Sequence, residues 1–225
     1  MRIAWDRVVD APRPGSIGRP IGTAKQLALL VWGASSSVGT MGVQSARLLC
    51  EDPESSFAAV YATCGVVNEQ YIRTLGADRV FDYNDPKVVE KIVDAAKDDG
   101  LVMQHCFLAM GQLALCQAVL KASSGLKQNE TEAIIASAPP IPADAEKMEG
   151  VRARFVQLSM DSEEERLAQF RSWMAWLQKA LIKRHIQPSP GHQVVGRGLE
   201  AINGGLNGLR EGISCTKLVV EIKEI

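Results

Sequence analysis

The stretch from Leu27 to Val43 reads LALLVWGASSSVGTMGV, and its residue types and spacing suit it to holding an anion. An apolar run, Leu27 to Trp32, ends at Gly33; the small residues Ala34 to Ser37 follow, and Val38 and Gly39 open a segment with helical spacing. A strand, a tight turn of small residues and a helix start bring backbone N–H groups close to an anion and add the partial positive charge of the helix N-terminus. The candidate contacts are Gly33, Ser35, Ser36, Ser37, Val38 and Gly39, with Ser36 at the place where a glycine usually stands in such turns. The chemistry would be the binding of a dinucleotide pyrophosphate. The same residues would serve as a turn that only packs a helix on a strand, so the rest of the chain has to decide.

A second position bears on which dinucleotide. NAD-selective sites place an Asp or Glu after the second strand, where it accepts from the ribose 2′-hydroxyl. Here the second apolar run ends Thr63, Cys64, Gly65, with neither an acid nor an Arg or Lys. A carboxylate would repel a 2′-phosphate, so this end permits NADPH without selecting it. Cys50, Cys64, Cys106, Cys116 and Cys215 form no C-x-x-C pair, and His105, His185 and His192 have no ligand-like grouping, so no metal site is expected. Reduced, buried cysteines and surface histidines are the simpler reading.

Strands alternating with helices over residues 27–182 must position these groups, which predicts an α/β fold with a doubly wound parallel Rossmann sheet. Expected strands are Leu27–Trp32, Phe57–Thr63, Arg79–Tyr83, Leu101–Cys106, Ala133–Ser137 and Arg154–Ser159. Helices are expected over Thr40–Cys50, Asn68–Leu75, Lys87–Lys97 and Gly111–Lys121, and a long one through Leu167, Phe170, Trp173, Trp176, Leu177 and Leu181. The two tryptophans have helical spacing and read as core or interface. Residues 1–26, with three prolines and three glycines among Pro12 to Gly22, have linker composition, with at most a helical piece at Ile3–Val9. After Pro188 and Pro190, a brief strand at Val194–Val195, a Gly-interrupted amphipathic segment Gly198–Arg210 and the strand Lys217–Ile222 belong to another sheet.

The chain has 225 residues, 46% hydrophobic and 23% charged, with a net charge of −1. Charges are mixed, which argues against nucleic acid as a partner. No apolar run approaches the ~20 residues needed to span a bilayer, and MRIAWDRVVD lacks a signal-peptide core, so no membrane partner and a cytoplasmic location are expected.

VWGASSSVGTMGVQSARLL, YATC, LGADRVFDY and KLVVEI, in that order, resemble the medium-chain dehydrogenase/reductase superfamily, and within it the zinc-free enoyl reductases that act in trans on fungal polyketide synthases. LGADRVFDY is the most specific piece, placing a helix end, a strand and a tyrosine at fixed offsets. The resemblance implies a GroES-like catalytic domain interrupted by a Rossmann domain. Residues 1–26 would be the linker remnant of a preceding catalytic domain absent from this sequence, 27–184 the dinucleotide-binding domain, and 185–225 the return segment, its strands part of a partial GroES-like domain.

It also implies NADPH as cofactor, with Asn68 and Tyr83 at the 2′-phosphate and ribose and Cys64 a further cofactor contact. Similar reductases carry Ser where Gly65 stands; Tyr83 could equally be an ordinary strand-end aromatic. His105 would replace an acid near the nicotinamide ribose, and Ala136 to Ala138 would lie along the nicotinamide. No catalytic residue is assigned, because the family's acyl pocket and proton donors come from the catalytic domain. The expected substrate is a small molecule or an acyl thioester carried by a polyketide synthase, and a homodimer pairing Rossmann domains edge to edge fits the family habit. Three functions follow: an NADPH-binding chain derived from an enoyl reductase, an active quinone or enone reductase, and a non-catalytic protein whose exposed C-terminal strands bind a partner.

Overall fold

β1 (Leu27–Trp32) is apolar at every position because it is covered on both faces, with Ala28, Leu29, Leu30 and Val31 fully buried. In the computed structural model, which describes residues 25–53, 55–124, 132–156 and 162–222, it is flanked on either side by parallel strands. These are β2 (Phe57–Cys64) and β4 (Val102–Leu108); β3 (Arg79–Asp82), β5 (Ala133–Ser137) and β6 (Val151–Phe155) complete a six-stranded sheet in the order β3-β2-β1-β4-β5-β6. The order reverses between β1 and β4, and that is where a doubly wound sheet opens a crevice at the C-terminal ends of its strands.

Side chains alternate across the sheet, so each strand feeds two cores. Leu29, Val31, Val60 and Ala62 pack with Val43, Ala46 and Leu49 of α1 (Ser37–Glu51) and with Ile72 of α2 (Glu69–Thr74). Ala28, Leu30, Trp32 and Tyr61 face the other way. They meet Ile92, Val93 and Ala96 of α3 (Val88–Asp98) and Cys116, Val119 and Leu120 of α4 (Leu113–Ser124). The expected doubly wound parallel sheet is therefore present.

Two strands of this sheet differ from the sequence reading by more than one residue at an end. β4 does not stop at Cys106 but runs on to Leu108, because Phe107 and Leu108 pair with Val31 and Trp32. The sixth strand lies at Val151–Phe155, not Arg154–Ser159; Ala133 to Ser137 pair in register with Val151 to Phe155. Its Arg152 and Arg154 hid it, since only an edge strand tolerates that much charge. The remainder of the expected strand, 157–159, falls outside the described residues, as do the N-terminal piece Ile3–Val9 and residues 1–24 of the expected linker.

After α5 (Glu163–Ile182) the chain forms a second sheet of two parallel strands, β7 (Gly191–Arg197) and β8 (Thr216–Glu221), joined by a 3-10 turn and α6 (Ile202–Glu211). A Cβ at Gly205 would sit 3.3 Å from Val195, and one at Gly208 3.3 Å from Leu218, so the glycines of α6 bring it close to the sheet. The unit is tied to α1 through Gln44, which is 5% exposed. Its Nε2 donates to Gln187 O at 3.2 Å and Ser189 Oγ at 2.9 Å, and its Oε1 accepts from Gln187 N at 2.8 Å. Among the described residues no helix is long and apolar enough to cross a membrane.

Candidate functional site

Between the end of β1 and the start of α1 the chain turns so tightly that only glycine fits at two points. Gly33 has φ +76°, and a Cβ there would lie 2.3 Å from Met110 O. A Cβ on Gly39 would lie 2.2 Å from Gly33 O and 2.7 Å from Ala34 Cα. Gly33 N donates to Thr63 Oγ1 at 3.0 Å and Ala34 N to Thr63 O at 2.8 Å, so buried Thr63 holds the turn on β2. Ser36 caps α1: its Oγ donates to Gly33 O at 2.8 Å and accepts from Gly39 N at 2.9 Å, and its N–H also donates to Gly33 O at 3.2 Å. Sequence reading gave the Ser36 N–H and hydroxyl to an anion, whereas here both are engaged in holding the cradle's shape. Ser37 and Val38, exposed in the first turn of α1, have no carbonyl one turn earlier in the helix and offer their N–H groups outward.

The turn borders a cleft of about 750 Å³ at the β1/β4 crossing point. Of the expected residues, Gly33, Ser35, Ser36 and Tyr83 line it. Ser37, Val38 and Gly39 follow on α1, and Cys64 and Asn68 do not line the cleft but bond to residues that do, Cys64 O accepting from Tyr83 N and Asn68 donating to Ser214. Tyr83, 42% exposed, follows β3; its N donates to Cys64 O at 3.3 Å. Its hydroxyl would lie 3.5 Å from a Cβ on Gly65, so Gly65 and Tyr83 face each other. Asn68 is 9% exposed and its Nδ2 donates to Ser214 Oγ at 2.6 Å. Burial pushes the Cys64 thiol up to about 12, with the negative charges of Glu69 and Cys215 adding to the effect. Cys64 is therefore a packing residue and not a nucleophile.

His105 is not at the cleft. It pairs with Leu29 and Ile134 inside the sheet, and its ring meets Phe57 edge-on at 5.2 Å, beside the first residue of β2. The longer β4 is the reason: the strand end that reaches the cleft carries Met110 and Gly111, and a Cβ on Gly111 would meet Trp32 Nε1 at 2.8 Å. Ser137, at the end of β5, turns its hydroxyl to Pro139 O at 2.7 Å.

Two groups of lining residues were missed. Asn84 takes up the carboxylate of Asp82, donating from N at 3.0 Å and Nδ2 at 3.1 Å. Asp82 pairs in register with Cys64, so an acid does stand at this end of the sheet, on β3 and turned toward Asn84. The loop Gly212 to Cys215, some 150 residues from Asn68 and Cys64, returns to close the same cleft. Gly212, with φ +93°, was legible as a helix stop; nothing local in the sequence says where the chain goes next. Among the described residues no group of three or more His, Cys, Asp or Glu could hold a metal ion.

No family model matches the chain. It is 35% identical over 199 residues to the trans-enoyl reductase tndF of Aspergillus flavipes, covering 88% of this chain and 54% of that protein. It is 39% identical over 152 residues to the trans-enoyl reductase tazE of Aspergillus terreus, covering 65% and 46%. The chain thus spans about half the length of the curated relatives it matches. Among solved structures, CurA of Vibrio vulnificus in complex with NADPH superposes with a TM-score of 0.58 at 19% identity, over 90% of this chain and 59% of that one. The CurK enoyl reductase superposes with 0.60 at 13% identity, over 89% and 56%. These two share the fold. The strand order, the glycine-bounded turn and the sequence likeness to the fungal proteins together show a chain that resembles the trans-enoyl reductases of the medium-chain dehydrogenase/reductase superfamily over about half of their length.

Proposed function

We propose that residues 27–184 form the NADPH-binding part of an oxidoreductase that reduces an activated carbon–carbon double bond, with 185–225 the segment that closes the site from the other side. The observation that carries the reading is the Gly33–Gly39 turn. Its backbone leaves no room for a Cβ, its cap is satisfied internally, and its free first-turn donors stand beside a cleft at the strand-order switch. Such a donor set fits a pyrophosphate. When bound, the nicotinamide cofactor supplies the hydride.

In this reading each group of the chain has a part to play in binding. Ser35, Ser37 and Val38 hold the pyrophosphate, while Ser36 and Thr63 fix the turn that presents those donors. Tyr83 and Asn68 receive the 2′-phosphate and ribose, with Ser214 orienting the Asn68 amide. Cys64 backs the adenosine end as neutral packing. Gly65 supplies no hydroxyl, so the grip on the 2′-phosphate is weaker than a serine there would give, by about 1.5–3 kcal/mol if charge-assisted. The substrate class is an enoyl thioester, presented by a polyketide synthase in the cytoplasm, which is supported by likeness to proteins named trans-enoyl reductases. A homodimer is part of the same proposal.

Titration with NADPH and NADH tests it. Trp32 is 2% exposed and lines the cleft, so bound reduced nicotinamide should quench tryptophan emission and gain sensitised emission of its own. Saturable binding, tighter for NADPH than for NADH, is expected. Absence of saturable binding of both would sink the reading.

A further inference from the structure

Among the described residues the lining of the cleft holds no Lys, Arg, Asp or Glu. In a site with no charge of its own, a charge standing just behind the wall sets the local field. Asp82 is such a charge. It ends β3 and pairs in register with Cys64, the last residue of β2. Neighbouring strands lie about 4.8 Å apart, so its carboxylate starts within one side-chain length of the place where NAD-selective sheets set their acid. Tyr83, the next residue, faces Gly65 at that same place.

No neighbouring cation neutralises this carboxylate. Glu69, Asp82 and Arg73 lie close enough to Cys64 for their fields to reach its thiol. Glu69 and Arg73 offset each other in an ion pair of 2.9 Å, whereas among the described residues Asp82 makes no ion pair. What holds Asp82 is Asn84, a residue of the cleft lining. Asn84 donates to Asp82 Oδ1 twice, from its N–H at 3.0 Å and from Nδ2 at 3.1 Å. The first bond is a turn contact that any residue but proline could make. The second needs the amide, so one side chain touches both the cleft and the carboxylate.

We infer that Asn84 is a positioning residue for cofactor preference, acting through Asp82. By clasping the carboxylate it withholds an acceptor from a ribose 2′-hydroxyl and keeps a negative charge back from a 2′-phosphate. The cleft then favours NADPH although its wall offers no cation. The inference rests on the cofactor reading above and adds the residue pair that sets the preference.

Fluorescence titration of the full chain with NADPH and NADH tests it, with adenosine 2′,5′-bisphosphate as a competitor that carries the adenosine end alone. Asp82→Asn keeps an acceptor for Asn84 and removes the charge. It should tighten NADPH and the bisphosphate about threefold or more and leave NADH nearly unchanged. Asn84→Ala should weaken NADPH and the bisphosphate about threefold or more while NADH holds or gains. Added to Asp82→Asn, the same Asn84→Ala should change NADPH affinity by less than about twofold, because no charge remains to be held back. An equal cost of Asn84→Ala in both backgrounds overturns the inference, since Asn84 would then act on the cofactor or the turn directly. A preference for NADPH that neither substitution moves overturns it alone and leaves the cofactor reading standing. Saturable binding of neither cofactor to the wild type removes both.

Discussion

Replacing Gly39 by alanine should destabilise the protein, although helix propensity argues the opposite. Gly39 lies in the first turn of α1, and alanine is favoured over glycine inside a helix by about 1 kcal/mol. The added Cβ would meet Gly33 O at 2.2 Å, Ala34 Cα at 2.7 Å and Ala34 C at 2.9 Å, all of them backbone atoms. The turn must retreat by roughly 1 Å to reach ordinary contact, since packed interiors have no slack to absorb the overlap. That movement strains the Ser36 bonds to Gly39 N and Gly33 O, 2.9 and 2.8 Å long. Two hydrogen bonds at about 1 kcal/mol each and overpacking of about 1–3 kcal/mol, less the helix gain, leave a net loss of about 2–4 kcal/mol. This corresponds to a fall in Tm of about 4–16 °C for a chain of this size. Gly204→Ala is the control: it lies in α6, its Cβ would meet nothing within 4 Å, and a gain of about 0.5–1 kcal/mol is expected. Thermal melts of the two variants beside the wild type, with NADPH titrations of each, decide the matter. If Gly39→Ala is as stable as Gly204→Ala, the close approach of α1 to the turn is wrong and the cradle reading falls with it.

Gly65→Ser should tighten NADPH about tenfold or more and leave NADH nearly unchanged, because its Cβ has ordinary contact room beside the Tyr83 hydroxyl; equal gains for both cofactors in fluorescence titrations would refute the assignment of this end to the 2′-phosphate. Cys215, the partly exposed member of the five cysteines, should react first with a thiol reagent while buried Cys50, Cys64, Cys106 and Cys116 lag, and NADPH should slow that reaction because Cys215 lines the cleft. Mass mapping of the labelled thiol checks the order. Asp99 is held below the usual carboxylate range by the hydrogen bond from Arg79 and then that from Tyr61. A depressed folded pKa means a contribution present above about pH 4 and lost as pH falls below it. The Tyr61 phenol is held above its usual range by burial and then by Asp99, a contribution full below about pH 10 and lost as pH rises past it. Asp99→Asn should therefore flatten both limbs of a stability-against-pH profile, and an unchanged profile would refute this.

What the sequence could show depended on how far each signal reached along the chain. β1 and β5 were read to the residue, because an apolar run between breakers is a local signal. The tight turn after β1 was equally legible from Gly33 and Gly39, since each marks a place where a Cβ has nowhere to go. β6 was misplaced because its exposure at the sheet edge removes the pattern that identifies a strand. His105 was set at the nicotinamide end because the strand was read as stopping at Cys106, two residues short; a slip of that length is enough to move a side chain away from the cleft. The role of Ser36 could not be read at all, since a serine that caps a helix and one that binds a phosphate look alike in sequence.

The same limit applies with more force to the far wall of the cleft. Asn68 and Ser214 are 146 residues apart and joined by one hydrogen bond, and no period or motif in either segment announces the other. The contact exists because the second sheet is fixed to the body, and Gln44 is the fixing point, on the very helix whose first turn forms the cradle. α1 thus helps to set both walls: its N-terminus carries the exposed N–H donors of Ser37 and Val38, and its middle holds, through Gln44, the segment that returns with Gly212 to Cys215. The cleft is therefore a property of the whole described chain, and the Gly33–Gly39 motif by itself is only the half of it that sequence can announce.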